Sequence, residues 1–184
     1  VGNHMKSQGK LSKNTIVATV MSNLGFFLMG EKNHIKIEQT KVGDRYVLER
    51  MREIGASLGG EQSGHVIFLD ENTTGDGLLS ALHLLQVLVE TKKPLSELAS
   101  IMEVMPQALV GAKVPNHKKE KFMDYPEIAE AIATLEKKFA GEGRVLIRPS
   151  GTEPLVRVMI EGKDQKAISE EAKKLAELIQ NIML

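Results

Sequence analysis

Two hydrophobic periods alternate along the chain, and each switch between them marks an element. Thr15-Ile16-Val17-Ala18-Thr19-Val20 is rich in β-branched residues with no charge, which predicts a strand buried on both faces. Ser22 or Asn23 then caps a helix through Leu24, Phe27, Leu28 and Met29 that ends near Asn33. A short strand follows over residues 35–39, and Val42-Gly43-Asp44-Arg45 opens a helix with Val47, Leu48 and Met51 on one stripe. Residues 66–69 are a further strand. Thr74 or Asp76 starts a long apolar helix over residues 78–89, in which His83 is a packed or boundary residue. Pro94 opens a short helix over residues 95–102.

After Met105-Pro106 the pattern restarts. It predicts a strand over 108–114, a polar loop over 115–121, a helix over 128–139, two strands on either side of a loop at 148–154, and a helix over 165–183. The segment from about residue 106 has enough strands and amphipathic helices for its own core, so a domain boundary falls near Met105. The fold class is α/β: a mixed α/β domain over 15–104, then a smaller α+β domain over 105–184 with helices on an antiparallel sheet. Residues 1–14 are polar and weakly periodic, and read as the tail of a preceding domain or as a linker.

Composition narrows the function classes. The chain has 24 basic and 24 acidic residues, so no excess positive charge recommends nucleic acid. Aromatics are 4% with no Trp, which removes base-stacking platforms. There is no cysteine, hence no disulfide and no thiolate metal site. No apolar run approaches the roughly 18 residues of a membrane span, and no signal-peptide core precedes the first strand, so the expected setting is cytoplasmic.

Two loops hold the candidate chemistry. Arg148-Pro149-Ser150-Gly151-Thr152-Glu153-Pro154, with Arg157 beyond it, gathers two guanidinium groups, two hydroxyls and a glycine whose main chain can approach an anion. It reads either as a phosphate site or as a polar hairpin turn with solvated arginines. Gly59-Gly60-Glu61-Gln62-Ser63-Gly64-His65 is a tight glycine-rich loop whose Glu61 and Ser63 suit sugar hydroxyls and whose His65 can move a proton near neutral pH. A hairpin with a solvated glutamate and a backbone-satisfied histidine is the other reading. Asp70 to Gly77 resembles a calcium loop, but the twelfth position is Ala81 where a bidentate Glu is needed. The charge run at 117–121 reads as a solvated connection.

Taken together, Gly60 to His65, Arg148 to Pro154, Val42-Gly43-Asp44-Arg45-Tyr46-Val47 and Thr73-Thr74-Gly75-Asp76-Gly77 resemble the bacterial phosphoglucosamine mutases of the α-D-phosphohexomutase superfamily. The resemblance covers essentially the whole chain but only the third and fourth of that family's four domains. It implies an isomerase that interconverts glucosamine 6-phosphate and glucosamine 1-phosphate through a phosphoserine and a bisphosphate intermediate, on the route to UDP-N-acetylglucosamine and peptidoglycan. Arg148, Ser150, Gly151, Thr152 and, at the far end of the next strand, Arg157 would hold the non-reacting phosphate. Glu61, Gln62, Ser63 and Gly64 would grip the sugar, and His65 would handle a proton or orient Glu61. Asp44 and Arg45 would lie near the cleft, with a helix-start cap and a surface ion pair as the other reading.

The same resemblance implies ligand-driven closure of a mobile fourth domain. The phosphoserine loop and the Mg²⁺ loop are absent from the sequence, so Mg²⁺ would be bound by a missing N-terminal domain and no metal by these residues. The partners implied are a sugar phosphate and the missing domains of the same chain, and the resemblance leaves a homodimer of the intact protein open. Turnover is not expected from this part alone. A free-standing sugar-phosphate binding module and an interaction domain with no ligand are the alternatives.

Overall fold

The computed structural model describes all 184 residues, which divide into two units, Val1–Val104 and Met105–Leu184. In the first unit β1 (Thr15–Thr19) is flanked by β2 (Lys36–Thr40) and β3 (Leu58–Gly60) in parallel, and β4 (Val66–Phe68) closes the sheet antiparallel to β3, giving the order β2-β1-β3-β4. All five residues of β1 are buried, as its uninterrupted apolar run requires of a central strand. Ile16 packs in one apolar cluster with Leu11, Ile35, Leu58 and Phe68, whereas Val17 packs in another with Val47, Met51, Ala56 and Ile67. Successive strand residues thus feed the cores on opposite faces of the sheet.

The crossovers are α2 (Leu24–Lys32), whose Asn23 cap accepts the Gly25 N–H at 3.0 Å, and α3 (Asp44–Ile54). Gly25 has to be glycine, because a Cβ there would sit 1.8 Å from the Glu103 carbonyl oxygen. The opening helix α1 (Gly2–Ser7) belongs to this unit: Val1 and Met5 pack on the Leu11 cluster, and Gln8 Nε2 donates to Glu90 at 2.6 Å. A hydrophobic contribution from residues 1–14 is hard to read from a polar, weakly periodic stretch.

Asp76 caps α4 (Gly77–Thr91), its Oδ1 accepting the Leu79 N–H at 3.0 Å. His83 stacks on Phe68 at 3.9 Å between ring centroids and bonds Glu71 at 2.7 Å. Along the apolar α4, Leu78, Leu82, Leu85 and Val89 are 74%, 55%, 55% and 75% exposed. Only one side of the helix meets its sheet. The short α5 (Leu95–Ala99) ends three residues sooner than the pattern suggests.

The second unit is a three-stranded antiparallel sheet in the order β5-β7-β6, from β5 (Gln107–Lys113), β6 (Arg144–Pro149) and β7 (Leu155–Glu161). The helices α6 (Pro126–Phe139) and α7 (Gln165–Met183) cover one face. Val156, Val158 and Ile160 of β7 point into that core with Ile128, Ile132, Ile168, Leu175 and Ile179, all buried. The strand period of two therefore sends Arg157 and Glu161 to the other face. There Glu161 is fully buried and held by Arg144 Nη2 at 2.6 Å and Gln107 Nε2 at 3.2 Å. This is the expected fold class: a mixed α/β layer followed by a two-layer α+β unit.

On β2 the Glu38 carboxyl is held below the ordinary glutamate range by hydrogen bonds from Lys36 first and Arg50 next. A carboxyl whose folded pKa lies below its unfolded one adds stability that is complete above about pH 4.3 and is lost as pH falls through the lowered folded value. Glu38→Gln is expected to flatten the acid limb of unfolding free energy against pH below about 4.3, read by urea titration of both proteins.

Candidate sugar and phosphate loops

In the first unit the carboxyl ends of the parallel strands β1, β2 and β3 lie along one edge of the sheet, where open α/β sheets place ligands. Three turns leave that edge, the first being Val20 to Asn23 after β1, and two of them carry the motifs. One is Lys41 to Gly43 after β2, and the other is the hairpin Glu61 to His65 between β3 and β4. The strand begins earlier than the glycine-rich pattern suggests, since Leu58, Gly59 and Gly60 are all ladder residues. The loop proper is closed by the Glu61 N–H on the His65 carbonyl at 3.0 Å and the Gly64 N–H on the Glu61 carbonyl at 3.1 Å. Gly64 has φ +99°, which a side chain rarely adopts. Gln62 and Gly64 lie at its exposed tip.

Glu61, Ser63 and His65 form a chain of hydrogen bonds. Ser63 donates its hydroxyl to Glu61 Oε1 at 2.6 Å, so its one proton is spent. His65 Nδ1 lies 2.9 Å from Ser63 Oγ and must then be the donor, which leaves Nε2 as the ring's lone-pair nitrogen in the neutral form. The other carboxylate oxygen, Glu61 Oε2, accepts the Gly43 N–H at 3.2 Å. The Val42 to Val47 motif therefore acts on the Glu61 to His65 hairpin through a main-chain amide eighteen residues upstream. The Glu61 side chain is 11% exposed and His65 55%, so the acid is fixed and the imidazole is accessible. Gly75 brings in a third segment, because a Cβ there would lie 3.2 Å from His65 Cδ2.

Asp44 and Arg45 are placed otherwise. Asp44 Oδ1 accepts the Arg45 N–H at 2.8 Å, and Arg45 pairs with Glu49 at 2.8 Å one turn along α3, its side chain 82% exposed. These are the helix-start and surface ion-pair contacts of the second reading, of the kind worth little in stability.

In the second unit β6 and β7 form a hairpin whose register sets Arg148 opposite Arg157. Directly opposed residues of an antiparallel pair share a face, so both guanidinium groups lie on the side away from the helices. The direction of Arg157, which sequence spacing leaves undefined, is thus fixed by pairing. Burial first, and the Arg157 charge second, push the pKa of Arg148 below its usual value. An anion beside the pair would offset that cost. Glu153 forms an ion pair with Arg157 from within the loop.

The loop is itself a closed turn. The Ser150 N–H donates to the Leu155 carbonyl at 2.9 Å, and Ser150 Oγ, buried at 3% exposure, accepts the Glu153 N–H at 3.3 Å. Gly151 and Thr152 are exposed, and their N–H groups donate to no atom of the chain. Lys119, placed by its sequence in a solvated charge run, is 8% exposed, with Nζ 2.5 Å from the Ser150 carbonyl and 3.4 Å from that of Glu153. Its neighbour Lys118 donates to the Met183 carbonyl at 3.1 Å. Two of the run's lysines are anchors, while His117, Glu120 and Lys121 are exposed as a solvated connection requires. The signal that finds it is Phe122, since in the 3-10 turn Lys119–Asp124 residues three apart share a side and Phe122 is buried.

Comparison with known proteins agrees with this layout. Residues 1–105 match the alpha/beta/alpha domain III of phosphoglucomutase/phosphomannomutase, and residues 84–178 match its C-terminal domain. The chain belongs to that family. It is 60% identical over 180 residues to a phosphoglucosamine mutase of Ruminiclostridium cellulolyticum, and 59% identical over 176 residues to one of Caldanaerobacter subterraneus, covering 98% and 96% of this chain. It spans 40% and 39% of those relatives' own length, so it is a C-terminal portion of this kind of protein. An N-acetylphosphoglucosamine mutase structure from Aspergillus fumigatus superposes with a TM-score of 0.80 at 20% identity, over 99% of this chain and 41% of that one. A second Aspergillus structure, in complex with GlcNAc-6P and magnesium, gives 0.79 at 19% identity over 100% and 42%. At this identity the likeness is one of fold. In the present chain no three His, Asp or Glu side chains come together as a metal site.

Gly43 has φ +129°, and its amide holds Glu61. Gly43→Ala is expected to cost about 1–3 kcal/mol of stability through that strained backbone, read by urea unfolding, and to shift the Ser63 and His65 NMR signals as Glu61 moves.

Proposed function

We propose that this chain is the sugar- and phosphate-gripping portion of a phosphoglucosamine mutase. The intact enzyme interconverts glucosamine 6-phosphate and glucosamine 1-phosphate through a phosphoserine and a bisphosphorylated sugar, and so supplies UDP-N-acetylglucosamine and peptidoglycan synthesis from the cytoplasm. The observation that carries the reading is the Arg148–Arg157 pair beside the two unengaged amides of Gly151 and Thr152. Two guanidinium groups and two amide donors suit the several oxygens of one phosphate dianion. The relatives at 56–60% identity, all phosphoglucosamine mutases, support it, and their greater length does not favour a free-standing binding module.

On this reading Arg148, Gly151, Thr152 and, once released from Glu153, Arg157 bind the phosphate that is not being transferred, while Ser150 holds the turn. Glu61 accepts from sugar hydroxyls, Ser63 relays between acid and imidazole, and Gln62 and Gly64 form the rim. His65 Nε2 takes the proton of a hydroxyl as it attacks a phosphoryl group. Asp44 and Arg45 act at one remove, by starting the helix whose Gly43 amide steadies Glu61. The Mg²⁺ of phosphoryl transfer, which neutralises charge on the phosphate, is held outside these residues together with the serine. No helix here is long and apolar enough to cross a membrane.

Arg148→Ala is expected to weaken binding of glucosamine 6-phosphate by about 2–5 kcal/mol, measured by NMR titration of the chain; an unchanged affinity overturns the phosphate site. A mutase assay on the 184-residue chain is expected to show no turnover above background. Turnover would place the phosphoryl-transfer groups within these residues.

A further inference from the structure

We infer that Lys119 is a positioning residue of the phosphate loop, one that aims the Gly151 main-chain donor outward and charges it from behind. The inference rests on the phosphate reading of residues 148–154 and deepens it. Lys119 is buried, and its Nζ reaches two acceptors, the carbonyl oxygens of Ser150 and Glu153 at 2.5 and 3.4 Å. These bracket the turn. No carboxylate lies within 4.0 Å of the ammonium, whereas the lysines that do pair with acids, such as Lys36 and Lys138, are at least half exposed. A buried ammonium with only neutral partners costs free energy, and an anion brought close to it would offset part of that cost.

The geometry says what it does there. The Ser150 carbonyl and the Gly151 N–H belong to one planar trans peptide and point in opposite directions. Drawing the carbonyl inward to Nζ turns the Gly151 N–H outward, where it meets no acceptor of the chain. Ser150 Oγ, by accepting the Glu153 N–H, keeps that amide from competing. The path ammonium, carbonyl, amide N–H, anion is then a run of aligned dipoles that starts at a buried ammonium and ends at the surface, each polarising the next. The counter-charge that the protein withholds from Lys119 is the one a bound phosphate brings. Arg148 and Arg157 grip the same anion from the sheet face, and Lys119 acts from the opposite side without touching it.

The test is an amide NMR titration of the 184-residue chain with inorganic phosphate, followed by the same titration with glucosamine 6-phosphate. In the wild type the Gly151 and Thr152 amide protons are expected to move downfield and saturate. Lys119→Met removes charge and clamp together and is expected to weaken binding about tenfold and to shrink the Gly151 shift. Lys119→Gln keeps one donor for the Ser150 carbonyl, so it preserves the turn where Met does not, and is expected to bind with intermediate affinity. Lys119→Arg is expected to recover most of the wild-type affinity. Urea unfolding of each variant reads the stability loss separately from binding. Met and Gln variants that lose stability but keep wild-type affinity and a wild-type Gly151 shift overturn the inference, leaving Lys119 a structural anchor. A wild type whose Gly151 and Thr152 amides respond to neither ligand overturns the phosphate site itself, and the role of Lys119 with it.

Discussion

Two like charges held side by side are the constraint on which the second unit turns. The antiparallel register sets Arg148 across from Arg157, and the same register sends Val156, Val158 and Ile160 into the helical core. The repulsion cannot relax by a one-residue slide of either strand, because that would turn the valines out of the core. Core burial therefore holds the arginines together. Glu153 takes up part of the strain by pairing with Arg157, while Arg148 keeps its lowered pKa. A site built this way is disposed toward an anion before one arrives, and a dianion needs no rearrangement of the sheet to be met.

The first unit uses a different device. The hairpin from Glu61 to His65, the candidate sugar loop, holds no paired like charges, only a glutamate whose two oxygens are both engaged, one by Ser63 and one by the Gly43 amide. Each oxygen keeps a further lone pair, so Glu61 arrives fixed in place and still able to accept. The proton order along Glu61, Ser63 and His65 is decided by counting hydroxyl hydrogens, and that count leaves the outer ring nitrogen basic. Fixed acid, single relay and exposed imidazole suit a ligand whose hydroxyls must be recognised and, at one point, deprotonated.

Much of this was legible in the residues, because local rules govern it. The β-branched-rich run of β1, the helix starts that Asn23 and Asp76 cap, each one of two candidates, and the strand-loop-strand around Ser150 all follow from period and capping chemistry. What escaped depends on contacts between distant positions. Lys119 sits in a run of charges that any composition rule assigns to solvent, and only its reach to a carbonyl thirty-one residues on makes it interior. The side chosen by Arg157 is a matter of register, and the link from Gly43 to Glu61 crosses between two strand ends. The apolar pattern of α4 likewise marks a helix without saying which of its residues are covered, and Leu78, Leu82, Leu85 and Val89 face out.

The hairpin from β6 to β7 sets a limit on how such a site can diversify. With Ser150 Oγ closing the turn on the Glu153 amide, removal of a single loop residue would slide β7 one step and swap Arg157 with its hydrophobic neighbours, so that recognition and folding would fail together. Changes of ligand preference in such a protein are therefore open to substitution at positions like Gly151, Thr152 and Glu153, and closed to shortening. Point replacement, rather than length variation, is the route along which this architecture can evolve.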